Sequence, residues 1–159
     1  MKTLRRYKIP NSLYFITVVT FQRQKILLRD IDLFWRCWDS EKYIAWIIMP
    51  DHFHILLDIQ NGDVSTIMHK FKIKYSRHFR NNYGKGRVWQ NRFWDHIIRD
   101  QNDFNRHVDY IHYNPVKHGF VNDPFLYTHS SLENYFRKGY YNREWGVDKS
   151  LRFNDDFGE

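Results

Sequence analysis

The spacing of apolar and polar positions changes several times along the chain, and each change marks an element. Leu13 to Phe21 (LYFITVVTF) is aromatic and β-branched, bounded by Pro10-Asn11 and by charge, and predicts a first strand. From Asp30 to Glu41, Ile31, Phe34, Trp35 and Trp38 recur at helical spacing and predict a first helix. Tyr43 to Met49 (YIAWIIM) reads as a second strand stopped by Pro50, and His52 to Ile59 as a third stopped by the turn signal Asn61-Gly62. Asp63 is a candidate N-cap for a long second helix ending near Asn82, with Ile67, Phe71, Tyr75 and Phe79 as its apolar stripe. Arg92 to Arg99 (RFWDHIIR) predicts a fourth strand, and Asp103 to about Asn114 a third helix.

The order strand–helix–strand–strand–helix–strand predicts an α+β fold, a ferredoxin-like sandwich (βαββαβ) with helices on one face of an antiparallel sheet. The third helix then takes the other sheet face, which is vacant. After Val121 the chain is aromatic, polar and weakly periodic. It reads as a tail over 121–159, packed on the 1–120 domain through Tyr127, Tyr135, Tyr140 and Trp145, with its last few residues frayed. No repeat, linker or low-complexity segment divides the chain, so one domain is expected.

Composition sharpens this picture without deciding it. The 159 residues suffice for one domain with a sizeable core, and 19% aromatic content lets few side chains fill it. Lys and Arg outnumber Asp and Glu by 25 to 18, a net charge of +7 that favours a polyanionic partner, nucleic acid before membrane. Cys37, the single cysteine, rules out an intramolecular disulfide and a multi-cysteine zinc site, and suits a reducing cytosol. The opening MKTLRRYK then SLYFITVV superficially mimics a signal peptide. Its apolar run is short, alternates with polar residues and lacks a small-residue cleavage site, so a strand is the better reading. No run reaches the length of a membrane span.

Two stretches carry candidate chemistry. Alternation along the third strand puts His52 and His54 on one face and Phe53, Ile55 and Leu57 on the other, so the histidines are expected to look outward. Neutral imidazoles so placed can ligate a divalent cation, although a His-x-His pair alone also suits partly exposed strand histidines. On the third helix, Phe104, Val108 and Ile111 fall within an arc of about 60°, while Tyr110 and Asn114 lie about 40° apart on a neighbouring face. A tyrosine hydroxyl and an amide oxygen one turn apart can address one metal-bound phosphate. Tyr113 points roughly 100° away from Asn114 and is the weaker candidate. Pro115 disfavours helical geometry at Asn114, which places that residue at the helix end. Lys70, Lys72, Lys74, Arg77 and Arg80 fill the rest of the second helix, as a solvated face or a phosphate-tracking surface. Gly84-Lys-Gly86 is too sparse for a phosphate-binding loop.

HFHILL after MPD resembles the His-hydrophobe-His motif of the HUH single-strand endonucleases. DYIHYNPVKHGFV, with WQNRFWDHIIRD upstream and SSLENYFRKGYYNREW downstream, resembles the REP-associated tyrosine transposases, relatives of the single-tyrosine transposases of small insertion sequences. The likeness covers roughly residues 5 to 146 in the expected order. It implies His52 and His54 as metal ligands, Tyr110 as nucleophile and Asn114 as third ligand, where related insertion-sequence enzymes use Gln. It also implies Mg²⁺ or Mn²⁺ as cofactor, and as substrate single-stranded or hairpin DNA of repetitive extragenic palindromes, in a bacterial cytoplasm at the nucleoid. Relatives include monomers and homodimers that share tyrosines.

Free tyrosine, with a pKa near 10, is a poor nucleophile at neutral pH until a base or a positive field helps it. Lys117, Arg92, Arg106 and the basic second helix (Lys70, Lys74, Arg77) are the candidate DNA-backbone contacts; His112 and His118 stay unassigned. Two other readings compete. One is a non-catalytic nucleic-acid-binding module on the same sandwich. The other is a metal-dependent phosphodiesterase in which water attacks and Tyr110 is incidental.

Overall fold

The computed structural model describes residues 12–39, 42–60 and 62–159. The opening MKTLRRYK, the Pro10-Asn11 boundary, Glu41 and Asn61 lie outside the described residues. Four strands, β1 (Ser12–Val19), β2 (Lys42–Ile48), β3 (His52–Ile59) and β4 (Trp94–Ile97), form one antiparallel sheet in the order β2-β3-β1-β4. The helices are α1 (Ile31–Cys37), α2 (Val64–Tyr83), α3 (Gln101–Lys117) and α4 (Leu132–Arg137).

Side-chain carboxylates start the first three helices. Asp30 accepts from the Leu33 amide, Asp63 from Ser65 and Asp100 from Asp103, each satisfying a donor that the first helical turn leaves unpaired. The apolar set Tyr14, Ile16, Val18, Phe53, Ile55 and Leu57 forms one sheet face, packed under Phe34 of α1 and Phe71, Tyr75 and Phe79 of α2. The opposite face carries Phe15, Ala45, Ile47 and Leu56, covered by Val108, Tyr110 and Ile111 of α3 and by Tyr135 and Phe157 of the tail. Both faces of the sheet are therefore closed.

Several boundaries differ from the sequence pattern for identifiable reasons. Beyond Val19 the strand gives way to a single bridge from Thr20 to Trp89 and a short 3₁₀ turn at Phe21–Arg23. β4 is confined to Trp94–Ile97, and α1 stops at Cys37. α3 does not stop at Asn114. It runs to Lys117 through Pro115, which near a helix C-terminus removes only one hydrogen bond, and every residue from Tyr110 to Val116 is buried. Packing against the sheet outweighs the local preference of a pre-proline residue.

The tail is anchored by hydroxyls that donate to β2 carbonyls, Tyr127 to Ile48 at 2.7 Å and Tyr135 to Ile44 at 3.0 Å. Trp145 packs on Tyr141, whereas Tyr140 stays 68% exposed against expectation. The final residues are not frayed either: Phe157 is buried beneath α3. Among the described residues, no helix is long and apolar enough to cross a membrane.

Candidate active site

Antiparallel register places His52 opposite Val19 and His54 opposite Thr17, on the face covered by α3. The expected outward view is corrected here. Both imidazoles point away from the α1–α2 core, yet they are 1% and 0% exposed because α3 and the tail lie over them.

The outer ring nitrogens are tied to fixed acceptors. His52 Nδ1 lies 2.6 Å from the Asp51 carboxylate. His54 Nδ1 lies 2.7 Å from Thr17 Oγ1, whose own proton goes to the Phe157 carbonyl at 2.5 Å, so the histidine must be the donor. Each ring then presents its Nε2 inward, and that of His52 faces the acceptors Asn114 Oδ1 and Glu159 Oε1. Burial opposes ionisation of Asp51, but hydrogen bonds from His52 and Arg23 outweigh it and bring its pKa down to about 2. Asp51 and Glu159 likewise outweigh burial and raise His52, whereas burial takes His54 down to about 4.

Four potential ligand atoms converge on one point. Asn114 Oδ1 is 3.1 Å from His52 Nε2, and Glu159 Oε1 is 2.6 Å from His54 Nε2 and 3.5 Å from His52 Nε2. Asn114 Nδ2 donates to the same Glu159 oxygen at 2.7 Å. An unprotonated imidazole nitrogen and a carboxylate oxygen at 2.6 Å repel unless a positive charge lies with them. His54, wholly buried, is a poor place for a second proton. Two imidazoles, an amide and a carboxylate, with outer-shell partners already fixed, fit a divalent cation, which would replace the proton that His52 Nε2 otherwise carries.

Tyr110 stands beside this group, its ring centroid 5.2 Å from that of His54. Lys117 donates to the Tyr110 hydroxyl at 2.8 Å and to Glu159 Oε2 at 2.7 Å, and its ammonium lies 4.8 Å from the centre of the Tyr110 ring. His118 reaches the same carboxylate oxygen at 2.8 Å. Phe157 stacks on Tyr110 at 3.7 Å between centroids, so the phenol is only 1% exposed. Burial and the Glu159 charge hold the Tyr110 pKa well above the usual phenol range. Burial also opposes ionisation of Glu159, but His118, His52 and His54 overcome it and keep its carboxyl well below its usual range.

Other candidates fall elsewhere. Tyr113 turns away toward Trp145 and Phe153. His112 is a buried structural link: Tyr141 donates to Asp109, so it accepts from His112 Nδ1, while Ser131 faces Nε2 at 2.8 Å. On α2, Lys70 and Arg77 are exposed and Lys74 pairs with Asp39 at 2.8 Å. Arg92 is exposed, and Arg106 lies between Asp103 and Asp155 at 3.4 Å from each. A second histidine–carboxylate group, His96, Asp103 and His107, ties α3 to β4. Its Asp103 is already engaged by His96, Arg99 and Arg106.

Glu159, Thr17 and Asp51 were not singled out from sequence. Asp51 directly precedes the His-x-His pair, a signal that was available. Glu159 approaches from 105 residues away, which no periodicity encodes.

A sheet-mounted imidazole pair with a helix-borne tyrosine and amide facing it is the layout of a single-tyrosine DNA strand-transfer enzyme. The family model described as "Transposase IS200 like" matches residues 11–114. A Haemophilus influenzae protein named as a candidate REP-associated tyrosine transposase is 34% identical, covering 98% of this chain and 99% of its own. The Escherichia coli K12 REP-associated tyrosine transposase is 31% identical over 93% of each. A solved REP-associated tyrosine transposase bound to a REP hairpin superposes with a TM-score of 0.84 at 29% identity, covering 100% of this chain and 98% of that one. The chain belongs to the IS200-like transposase family, among the REP-associated tyrosine transposases, DNA-cleaving and strand-transferring enzymes.

Proposed function

We propose that this chain cleaves and rejoins single-stranded DNA beside hairpins of repetitive extragenic palindromes, through a covalent 5′-phosphotyrosine on Tyr110. The solved relative bound to a REP hairpin supports the substrate class. The observation that carries the chemistry is Lys117 between the Tyr110 hydroxyl and the His52–His54–Asn114 pocket. A cationic donor 2.8 Å from the phenol oxygen favours the phenolate when DNA is bound. Tyr110 then attacks phosphorus, its proton is lost, and the upstream 3′ oxygen leaves and takes up a proton. Rejoining is the reverse attack by that 3′ hydroxyl, so the linkage conserves the energy and no nucleotide cofactor is consumed.

His52, His54 and Asn114 would hold Mg²⁺ or Mn²⁺, with Glu159 as a further oxygen donor in the covered state. Such an ion polarises the scissile phosphate and offsets developing charge. Lys70, Lys74, Arg77, Arg92, Arg106 and Lys117 are the proposed backbone contacts. The proposed setting is the cytoplasm, where the chromosomal DNA lies. A hairpin oligonucleotide labelled separately at each end, incubated with Mn²⁺ and run on denaturing gels, tests this reading. Only the 3′-labelled fragment should shift with protein, and the shift should vanish in Tyr110→Phe but not in Tyr113→Phe. Cleavage without an adduct in both variants would favour attack by water.

A further inference from the structure

The C-terminal end of α3 brings a second histidine to the site. The Asn114 side chain enters the ligand group, and its carbonyl accepts from the His118 amide at 3.0 Å, where the helix ends. Gly119 follows at φ +73°, a left-handed value that turns the chain out of the helix, and its amide closes on the Val116 carbonyl at 3.0 Å. His118 is therefore fixed at the helix end, and its ring packs on His52 with 5.1 Å between centroids at 61°. Its side chain is 28% exposed, so it borders solvent while facing the centre.

The Glu159 carboxylate shows what kind of group this end of α3 holds. An ionised carboxylate oxygen only accepts, so both nitrogens beside Oε2 donate to it, Lys117 Nζ at 2.7 Å and His118 Nε2 at 2.8 Å. Oε1 lies instead among the ligand atoms, 2.6 Å from His54 Nε2 and 2.7 Å from Asn114 Nδ2. Lys117 also donates to the Tyr110 hydroxyl at 2.8 Å. Burial, and then the Glu159 charge, raise the pKa of that phenol, which puts the carboxylate beside it. A scissile phosphate has the same needs. Its phosphorus must lie against the attacking phenol oxygen, one non-bridging oxygen must face the ligand group, and the other requires donors.

We infer that the Glu159 carboxylate occupies the place of the scissile phosphate, and that His118 is a catalytic residue donating from Nε2 to the non-bridging oxygen that Lys117 also contacts. This role rests on the DNA-cleavage reading above and adds to it a residue given no part there. His118 keeps its proton throughout. It lends a hydrogen bond to the charged phosphate oxygens while the bond from Tyr110 to phosphorus forms and the 3′ oxygen leaves. A donor already fixed at a helix end needs no reorganisation at the moment of reaction, the condition under which such a bond lowers a barrier most. The competing role is a tie that holds the 153–159 segment over the site, and it predicts the opposite sign.

The test uses the full chain carrying Glu159→Ala, which releases both donors from the carboxylate. End-labelled hairpin DNA is reacted in a single turnover with Mn²⁺, its scissile phosphate unmodified or present as each phosphorothioate diastereomer. His118→Ala should slow adduct formation about 10- to 100-fold in this background, and His118→Gln, which keeps an N–H donor, should recover part of the rate. Sulfur is a poor acceptor, so the ratio of the two diastereomer rates should change by about threefold or more when the donor is lost. A tie on the segment alone predicts faster adduct formation in His118→Ala with Glu159 present, no effect without it, and an unmoved ratio; that result would overturn the inference. A second arm needs no cleavage. In metal-free Tyr110→Phe/Glu159→Ala protein, His118→Ala should weaken binding of the same DNA about three- to tenfold, with circular dichroism reporting on folding. Unchanged affinity in a folded variant would overturn the inference as well. Absence of an adduct across the whole series would instead count against the Tyr110 reading, and the binding arm would still decide the role of His118.

Discussion

Glu159 Oε1 lies 2.6 Å from His54 Nε2, so a residue 105 positions further along the chain occupies the centre that the His-x-His strand builds. The same segment lays Phe157 flat on Tyr110. The proposed nucleophile and ligand group are thus covered by one short stretch of chain, which would have to move aside for DNA to reach the phenol.

Removing residues 153–159 should therefore expose Tyr110 and take away the charge that opposes its ionisation. The variant is expected to form the phosphotyrosine adduct faster than wild type at equal Mn²⁺. Spectrophotometric titration, read as the difference from the same truncation carrying Tyr110→Phe, should show the Tyr110 pKa falling toward 10, the ordinary phenol value. An adduct rate at or below that of wild type, with the titration unmoved, would show that the covering segment does not limit the nucleophile.

His54→Ala should lose Mn²⁺ binding and also destabilise the fold. The imidazole is fully buried and stacks on Phe15 at 5.4 Å. Truncation leaves a cavity and an unpaired Thr17 contact, worth about 2–3 kcal/mol, or roughly 4–10 °C in Tm for a chain of this size. Differential scanning calorimetry decides it; a shift under about 2 °C would restore an accessible, surface-like histidine.

That correction marks where the sequence ran out. Period-two alternation put His52 and His54 on the face away from Phe53, Ile55 and Leu57, and the strand ends at His52 and Ile59 matched. Asp63 capped the second helix as expected. Alternation specifies which face a residue takes but not what lies over that face. The opposite face was open to view only if the third helix and tail left it open. Helix α3 passed a pre-proline residue because burial of Tyr110 to Val116 outweighed a local backbone preference. Glu159 was illegible because one long-range ionic contact leaves no periodic trace.

Lys117→Met should slow adduct formation about 10- to 100-fold, in the range seen when a single charge-stabilising donor is removed. It should also move the rising limb of the pH–rate profile upward, because the phenolate loses its cationic partner. Lys117→Arg keeps the charge and should recover part of the rate. A profile that keeps its position in Lys117→Met would leave the lysine with DNA binding alone.

His112 should make stability fall with acid. Burial depresses its folded pKa to about 3, against about 6.5 in an unfolded chain, so the unfolded state binds the extra proton between those values. The stabilisation from neutral His112 is full above pH 6.5 and is lost progressively as pH falls toward 3. In His112→Gln that loss is absent, so the Tm gap between wild type and variant should narrow from pH 7 to pH 4. A constant gap would mean that the imidazole is not held neutral.

The Thr17 hydroxyl spends its one proton on the Phe157 carbonyl and so obliges His54 to donate from Nδ1. Once Phe157 departs, that hydroxyl is free to turn, and the proton on His54 is free to choose the other nitrogen. A cation held at Nε2 would then do what the closed chain does through Thr17, keeping the His54 proton on Nδ1.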